Sequence, residues 1–245
     1  MKKHIVLFLT ACINPQGMAF TVVQNCNERL GQYIKALQWY LDNTQYPILF
    51  VENTKFDIVP FFQRYIENGR LEVLSFDGNN YDKSIGKGYG EAMILEYGIK
   101  NSKILALYPD VMIVKITGRL ICNNINVLLK YHSKSNTVYA NYAFDENRCI
   151  NRDSRLFMAP KCFFNLSFLP HKSKINDSKH YYFEHHLYDC IEEWINNHNC
   201  AKEFFILPAL RGYSGSQGTL ISTNGIEMLK HFIKVLLHLV KIYRF

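Results

Sequence analysis

Residues 4–10 read HIVLFLT, a continuous apolar run that includes β-branched residues. A strand that is apolar on both faces is typical of the centre of a parallel sheet. Similar runs follow at 48–51 (ILFV), 71–76 (LEVLSF) and 111–116 (VMIVKI). The first half of the chain therefore contains four predicted strands of the buried, parallel kind.

Helical patterns separate these strands. Apolar residues recur at helical spacing over 27–41, and further helices are predicted over 60–68 and 91–100. Alternating strands and helices predict an α/β fold of the doubly wound, Rossmann-like kind, with a mostly parallel sheet and flanking helices. Such sheets bind ligands beyond the carboxyl ends of their strands.

The second half of the chain has a less regular pattern. Strands are predicted over 137–141, 155–158 and 201–206, and a helix over 181–198. The glycine- and serine-bearing stretch 212–218 predicts a flexible loop. No internal repeat or linker separates the two halves.

Composition limits the classes of partner and compartment. The 245 residues are 48% hydrophobic, which is enough for a sizeable core, and carry a formal net charge of +7. A basic balance suits phosphorylated ligands or an anionic membrane, whereas the lack of a long basic tract or a known nucleic-acid module argues against nucleic acid. Seven cysteines without a CxxC motif predict reduced thiols and a cytosolic compartment, and no zinc site.

Neither end of the chain predicts a transmembrane helix. The apolar run at the N-terminus is short and leads to Asn14-Pro15 without a clear cleavage site, so we interpret it as a strand rather than a signal peptide. Residues 225–245 predict an amphipathic helix with Lys230, Lys234, Lys241 and Arg244 on one narrow face. Such a helix either lies in a membrane interface or packs on the core with its lysines solvated.

The loop from Asp77 to Gly90 is polar and rich in glycine. Its G-x-G-x-G spacing is neither the dinucleotide fingerprint nor a Walker loop. Glycines let a backbone approach a ligand, and the N-terminus of the following helix favours an anion. The alternative is an ordinary connection between a strand and a helix.

The order of these elements resembles the nucleotide-binding half of GT-A glycosyltransferases over residues 1–125. The resemblance implies that Glu52 and Asn53, after the second strand, contact the base or ribose, and that the segment 86–98 covers the nucleotide. It also implies a domain over 1–224, with an acceptor half over 126–224. The donor-binding residues expected on this basis are Glu52, Asn53, Asp77, Asn79, Gly86, Lys87, Gly88, Glu91 and Thr117.

The chain departs from that family at the metal site. Typical members hold a divalent metal with Asp-x-Asp after the next strand, and this chain contains no Asp-x-Asp. Lys115-Ile-Thr-Gly-Arg119-Leu stands there instead, which is similar to bacterial capsule and O-antigen transferases. A cation can stabilise charge on the departing nucleotide, so Lys115 and Arg119 are candidate catalytic residues and no metal is expected, with Mg²⁺ or Mn²⁺ as the alternative.

The segment His180-Tyr-Tyr-Phe-Glu184-His185-His186 also carries candidate chemistry. Its position resembles the acidic motif that faces the acceptor in GT-A enzymes, which implies that Glu184 is the base of an inverting reaction. His185 is expected to orient Glu184 or to contact the diphosphate. A metal reading is weaker, because adjacent histidines point to different faces of a helix. The alternative is that the segment is the capped start of a helix whose polar residues are solvated.

Other polar residues are supporting candidates. The loop Ser214-Gly215-Ser216 is expected to close over the donor, and Arg211 to bind a phosphate. The remaining candidates are Asp153, Arg155, Arg29 and Tyr33, all of which have purely structural alternatives.

These expectations combine into one function and two alternatives. The first is transfer of a sugar from a nucleotide-diphosphate donor, with a UDP-sugar as the default, to a lipid-linked saccharide during surface-polysaccharide synthesis. The expected location is the inner face of the plasma membrane, where the C-terminal helix contacts the membrane surface. The alternatives are a nucleotidyltransferase on a similar fold and a noncatalytic, membrane-associated protein that binds nucleotide sugars.

Overall fold

The computed structural model describes residues 4–19, 21–132, 134, 136–144, 149–215 and 217–242. The strands in this part of the chain are β1 (Ile5–Ala11), β2 (Ile48–Glu52), β3 (Leu71–Ser75), β4 (Met112–Thr117), β5 (Ile121–Cys122), β6 (Thr137–Tyr139), β7 (Tyr142–Phe144), β8 (Ile150–Arg152), β9 (Leu156–Pro160), β10 (Cys200–Lys202), β11 (Leu210–Tyr213) and β12 (Leu220–Ser222).

The α-helices of the same residues lie mostly between the strands. They are α1 (Cys26–Asn43), α2 (Val59–Glu67), α3 (Lys87–Asn101), α4 (Lys103–Ala106), α5 (Ile125–Tyr131), α6 (Lys161–Phe163), α7 (Phe183–Asn196) and α8 (Gly225–Ile242). Helix α6 continues into a π-helical turn at Phe164–Phe168 and a 3₁₀ turn at Leu169–Lys174.

The largest sheet of the described residues has seven strands in the order β10-β6-β9-β4-β1-β2-β3. Strand β1 pairs in parallel with β2 and β4, and β2 pairs in parallel with β3. Strand β9 is antiparallel to both of its neighbours, β4 and β6. The predicted α/β fold, with a mostly parallel sheet and flanking helices, is confirmed.

Strand β1 lies at the centre because both of its faces are apolar. Leu7 and Leu9 pack into the core on one side of the sheet, and Val6 and Phe8 pack into the core on the other. Complete burial of such a side chain is worth about 1.5–3 kcal/mol. These contacts hold the central strands rigidly between two helical layers.

The parallel strands end together at one edge of the sheet. After β1 and β2 the chain is tied by a hydrogen bond from Asn53 N to Ala11 O at 3.2 Å, and after β4 by one from Gly118 N to Thr10 O at 2.9 Å. The polar loops that follow β1, β2 and β4 are therefore brought side by side, as the sheet topology requires.

Two predicted elements have different bounds in the structure. The helix predicted over 91–100 begins at Lys87, so the last four residues of the glycine-rich stretch are helical. The strand predicted over 201–206 ends at Lys202. Phe204 N donates to Asn141 Oδ1 at 3.0 Å, and the next residue's N–H bonds a histidine, so these amides do not continue the ladder.

The predicted flexible loop over 212–218 is partly a β-hairpin. Arg211 pairs with Ser222, and Tyr213 pairs with Leu220, in an antiparallel ladder between β11 and β12. The connection is closed by hydrogen bonds from Ser214 N to Thr219 O and from Gly218 N to Ser214 O, both at 2.9 Å. The hairpin is therefore ordered by its own backbone.

Helix α8 follows this hairpin and leaves an apolar side outward. Ile226, Leu229 and Ile233 are 66%, 59% and 47% exposed. His231, on roughly the opposite side at helical spacing, donates through Nε2 to Phe204 O at 2.6 Å. No helix in the described part of the chain has the length and apolarity to cross a bilayer.

Candidate functional site

A cleft of about 250 Å³ opens at the edge where β1, β2 and β4 end. Its lining combines the loops after these strands with the first turns of α3 and α7 and with the tip of the β11–β12 hairpin. Among the predicted site residues, those that line it are Asn53, Asn79, Lys87, Glu91, Thr117, Arg119, Glu184 and Ser214. The cleft therefore assembles residues that are far apart in the sequence.

Arg119 lines the mouth of this cleft. Its Nη1 donates to Tyr213 O at 2.8 Å, and its Cζ lies 5.8 Å from the centre of the Tyr33 ring. Nε is buried and has no hydrogen-bond partner among the described residues. The guanidinium is thus held between the end of β4 and the hairpin, where it can bind an anionic group.

Lys115 is placed differently from the expectation that it binds the diphosphate. Its side chain is 0% exposed and does not line the cleft. Nζ lies 2.5 Å from Glu91 Oε1 and donates to Ser154 O at 2.5 Å and to Thr117 Oγ1 at 3.2 Å. An ammonium whose donors are all used by the protein is not available to a ligand, so we correct the expected role of Lys115.

Glu91 forms the cleft-facing half of this ion pair. Its Oε1 also accepts a hydrogen bond from Thr10 Oγ1 at 2.9 Å. Burial opposes ionisation, but Lys115 and the hydrogen bonds outweigh it and hold the pKa of Glu91 below its ordinary value. Glu91 is therefore a carboxylate at the floor of the cleft, and it neutralises the buried lysine.

Glu184 is the second carboxylate of the cleft. It lies in the first turn of α7, and its Oε1 accepts a hydrogen bond from Ser154 Oγ at 2.5 Å. Within the described residues it forms no ion pair. A carboxylate without a cationic partner can accept a proton, as the predicted role of Glu184 as a base requires.

The N-terminus of α3 is occupied by a carboxylate of the protein itself. Gly88 N donates to Asp177 Oδ2 at 3.2 Å, and a Cβ on Gly86 would lie 2.4 Å from Asp177 Cβ. Neither glycine lines the cleft. We therefore correct the expectation that Gly86 and Gly88 approach the nucleotide, because their space is filled by Asp177.

Glu52 also differs from its expected role at the base or ribose. The side chain is fully buried and lies outside the cleft lining. Its carboxylate accepts hydrogen bonds from Ile13 N at 3.1 Å, Thr54 N at 2.8 Å and Phe56 N at 2.9 Å. Glu52 thus fixes the loops after β1 and β2, and it acts on the cleft through them.

Two amide side chains line the cleft beside these loops. Asn79 Nδ2 donates to Asn14 O and Pro15 O, each at 3.3 Å. The Oδ1 atoms of both Asn53 and Asn79 are buried without a hydrogen-bond partner among the described residues. Asp77, by contrast, lies outside the lining and forms an exposed ion pair with Lys55 at 2.7 Å.

Arg29 and Tyr33 of α1 contribute to the same wall. Arg29 donates to Cys12 O at 2.8 Å, to Val23 O at 3.1 Å and to Tyr33 Oη at 3.2 Å. The guanidinium therefore mainly braces backbone carbonyls. Cys12 lines the cleft as well, and burial raises the pKa of its thiol to about 11, so no thiolate nucleophile forms there near neutral pH.

The predicted acceptor and phosphate residues are not all at the cleft. Ser214 lines it, whereas Arg211 is exposed on the hairpin outside it. His185 lies outside the lining and stacks on Tyr182, with its Nδ1 accepting from Tyr182 N at 3.2 Å. Ser216 falls outside the described residues.

Asp153 and Arg155 form a bidentate pair next to the cleft. Asp153 accepts from Arg155 Nε at 2.9 Å and from Nη2 at 2.7 Å, and this contact raises the pKa of Arg155. Arg155 lines the cleft and Asp153 does not. Arg155 therefore adds positive charge near Glu184, and the negative charge of Asp153 partly offsets it.

Sequence reasoning missed Ser154, Asp177 and Tyr213. Ser154 touches Glu184, Asp177 caps α3, and Tyr213 holds Arg119 through its carbonyl oxygen. Their residue types carry no motif. The available signal was position alone, since Ser154 lies between two candidate residues and Tyr213 lies inside the predicted loop 212–218.

A resident divalent metal does not fit the described side chains. No group of three or more His, Cys, Asp or Glu side chains in the described ranges is arranged to hold an ion. Of the two cleft carboxylates, Glu91 is paired with Lys115 and Glu184 accepts from Ser154. Glu91 is thus committed to Lys115, which leaves Glu184 as the one carboxylate of the described cleft lining that is not in an ion pair.

No protein-family model matches the sequence, and no curated protein matches it either. Among solved structures, a 4-diphosphocytidyl-2C-methyl-D-erythritol synthase is similar, with 6% identity over 96% of this chain and 99% of its own and a TM-score of 0.46. The inositol-1-phosphate CTP transferase of T. maritima is 10% identical over 83% of this chain and 86% of its own, with a TM-score of 0.43.

The glycosyltransferase GlyE of Streptococcus pneumoniae TIGR4 is also similar. It is 10% identical over 82% of this chain and 45% of its own, with a TM-score of 0.45. These solved structures include nucleotidyltransferases as well as a glycosyltransferase. These similarities therefore do not distinguish the two kinds of reaction for this chain.

Proposed function

We propose that the protein transfers a sugar from a nucleotide-diphosphate donor to a hydroxyl acceptor. The observation that carries this proposal is that Arg119 and Glu184 line one cleft at the carboxyl ends of parallel strands. A guanidinium suits a diphosphate, and an unpaired carboxylate suits a hydroxyl that must lose its proton. An inverting transfer that uses no metal needs a cation and a base in one site.

The proposed reaction is a direct displacement with inversion at the sugar carbon. The acceptor oxygen forms a bond to that carbon, and its proton passes to the carboxylate of Glu184. The bond from the carbon to the β-phosphate oxygen breaks, and its electron pair leaves with the nucleoside diphosphate. Arg119 stabilises the negative charge that develops on this leaving group.

The nucleoside is proposed to lie against the loops after β1, β2 and β3. Asn53 and Asn79 line this part of the cleft and have buried carbonyl oxygens without partners among the described residues. A buried acceptor without a donor is costly, so a ligand that donates hydrogen bonds here gains affinity. A UDP-sugar is the donor to test first.

Lys87 and Arg155 are proposed to supplement Arg119. Both line the cleft, where the carboxylates are Glu91 and Glu184. Glu91 is already neutralised by Lys115 and Arg155 is paired with Asp153, but Arg29 and Arg119 together outweigh Glu184, so the remaining balance of the cleft is positive. Such a field attracts a doubly charged diphosphate. We propose that the reaction proceeds without a divalent metal, because these cations replace it.

A lipid-linked saccharide in surface-polysaccharide synthesis is the proposed acceptor, reached from the inner face of the plasma membrane. The support is the outward side of α8, where Ile226, Leu229 and Ile233 are exposed. Lys230 is exposed on the same helix. An apolar side flanked by basic residues suits an interface of anionic lipids.

The test begins with thermal-shift screening against UDP-, GDP-, dTDP- and CMP-sugars, since a ligand that binds only the folded state raises the melting temperature. The donor that binds is then incubated with the protein, and release of its nucleoside diphosphate is measured. Glu184→Gln is expected to reduce turnover by about 100-fold or more while binding is kept.

Other outcomes would replace this proposal with one of the two alternatives. Magnesium-dependent release of pyrophosphate from CTP or UTP would indicate a nucleotidyltransferase. Binding of a nucleotide sugar without any turnover, unchanged in Glu184→Gln, would indicate a binding protein. Absence of binding to every nucleotide sugar would overturn both the proposal and the binding alternative.

A further inference from the structure

A continuous polar network connects the buried centre of the sheet with the carboxylate of Glu184. It begins at Lys115, whose Nζ is tied to Glu91 at 2.5 Å and donates to Ser154 O at 2.5 Å. The Lys115 side chain is fully buried, and Ser154 is 5% exposed. Neither residue can move without breaking several short polar contacts.

The network ends at the cleft. Ser154 Oγ donates to Glu184 Oε1 at 2.5 Å. The backbone oxygen of Ser154 is held by Lys115, while its hydroxyl holds Glu184. Ser154 thus connects the central strand β4, through Lys115, to the Glu184 side chain on α7 and fixes the position of that side chain.

We propose that Ser154, anchored by Lys115, is a positioning residue for Glu184. This inference rests on the proposed role of Glu184 as the base, and it gives the buried lysine a function other than phosphate binding. The Ser154 hydroxyl keeps Glu184 Oε1 in place, so that the second carboxylate oxygen is the one that receives the acceptor's proton.

Two other charged residues, Arg155 and Asp177, interact electrostatically with Glu184. Asp153 and, more distantly, Glu184 raise the pKa of Arg155. Burial raises the pKa of Asp177, and the charge of Glu184 adds to that effect. Neither residue makes a direct contact with Glu184 in the structure's hydrogen bonds or ion pairs, whereas Ser154 does.

The test is the ¹³C chemical shift of the Glu184 carboxyl, recorded by NMR at one fixed pH on protein labelled at glutamate carboxyls. Glu184→Gln identifies its signal. In Ser154→Ala, this signal is expected to move further than any other glutamate signal, because its carboxylate loses a hydrogen-bond donor. An unchanged chemical shift would overturn the proposal.

Ser102→Ala is the matched control. Ser102 is also buried, and its Oγ donates to Glu72 Oε2 at 2.6 Å, in a part of the protein outside the cleft lining. This variant loses an equivalent hydrogen bond, so it reports any general effect on stability. The Glu184 signal should not move in Ser102→Ala, and a shift of equal size there would count against a specific role for Ser154.

Turnover then separates positioning from mere structural support. With the nucleotide sugar found by thermal shift, Ser154→Ala should lower kcat by about tenfold with little change in KM. Ser154→Thr keeps the hydroxyl and should restore most of kcat. If the unsubstituted protein turns over no nucleotide sugar, the proposed function fails, while the NMR comparison still decides the contact.

Discussion

The carboxylate of Asp177 caps the N-terminus of helix α3, where its Oδ2 accepts a hydrogen bond from Gly88 N at 3.2 Å. A Cβ at residue 88 would lie 2.8 Å from Asp177 Oδ1. The end of α3 attracts negative charge through its dipole and its unbonded amides. In this protein that charge is built in, and the glycine allows the close approach.

This contact predicts a specific dependence of stability on pH. Burial raises the pKa of Asp177 above its ordinary value of 3.8, so the folded state binds its proton more tightly than the unfolded state does. Stability from this group is therefore lost as pH rises from about 4 through the folded-state pKa. Asp177→Asn removes the titration, and the stability difference, native minus variant, should fall over that window in urea unfolding.

Asp82→Asn is the control with the opposite sign. Hydrogen bonds from Ser84 lower the pKa of Asp82, which is fully exposed. Its contribution is present above the ordinary pKa and is lost as pH falls. A wild-type advantage over Asp177→Asn that grows with rising pH would contradict the assignment at Asp177.

Gly215→Ala should displace Arg119 without unfolding the protein. A Cβ at residue 215 would lie 2.4 Å from Arg119 Nη2, which is the movable end of a long side chain. Loss of a charge-assisted contact of about 1.5–3 kcal/mol should weaken UDP binding roughly 10- to 100-fold. Titration calorimetry with UDP and with uridine separates the phosphate effect, since uridine affinity should be nearly unchanged.

Gly31→Ala is the matched control for this substitution. A Cβ at residue 31 meets no atom within 4 Å, and the residue lies inside α1. UDP affinity should be unaltered and stability slightly increased, by roughly 0.5–1 kcal/mol. Equal weakening of UDP binding by both alanines would argue against Arg119 as the phosphate ligand.

Lys115→Met should destabilise the protein because it leaves Glu91 without its partner. Breaking a buried ion pair on one side costs about 3–5 kcal/mol. Lys115→Met combined with Glu91→Gln removes both charges and should recover much of that loss in urea unfolding. Were the single variant as stable as the double, the ion pair would have no structural weight and Lys115 would again be a candidate for ligand binding.

EDTA should leave turnover of the nucleotide sugar largely intact. The reason is that cations of the protein stand near the cleft and no described cluster of acidic or histidine side chains fits a metal. The measurement is nucleoside diphosphate release with and without chelator, followed by addition of Mg²⁺ or Mn²⁺. Complete loss in EDTA with recovery on adding metal would refute metal-independent transfer.

Leu229→Glu should reduce binding to vesicles of phosphatidylcholine and phosphatidylglycerol. Leu229 is 59% exposed on the outward side of α8, and a carboxylate there opposes both insertion and attraction to anionic lipid. Sedimentation should show at least about a tenfold loss in the bound-to-free ratio, whereas Leu107→Glu, at a position that is 69% exposed after α4, should bind as before. Equal binding of both variants would remove α8 from the membrane contact.

The amino-acid sequence alone determined the fold class and the strands that frame the cleft. Residues 5–9 and 48–51 are apolar at every position, and a strand covered on both faces accommodates that pattern. The positions of Asn53 and Arg119 at a common edge also followed, because parallel strands end together, whereas Glu184 was expected there only from the resemblance to GT-A enzymes.

The tertiary structure decided which of those side chains reach the cleft. Lys115 and Arg119 are four residues apart and equally cationic in the sequence, yet Lys115 is buried against Glu91 and Arg119 faces the cleft. The sequence pattern around Gly88 predicted a phosphate contact, but Asp177, 89 residues away, lies against this glycine. Such roles depend on partners distant in the chain, and a local pattern contains no information about which partner arrives.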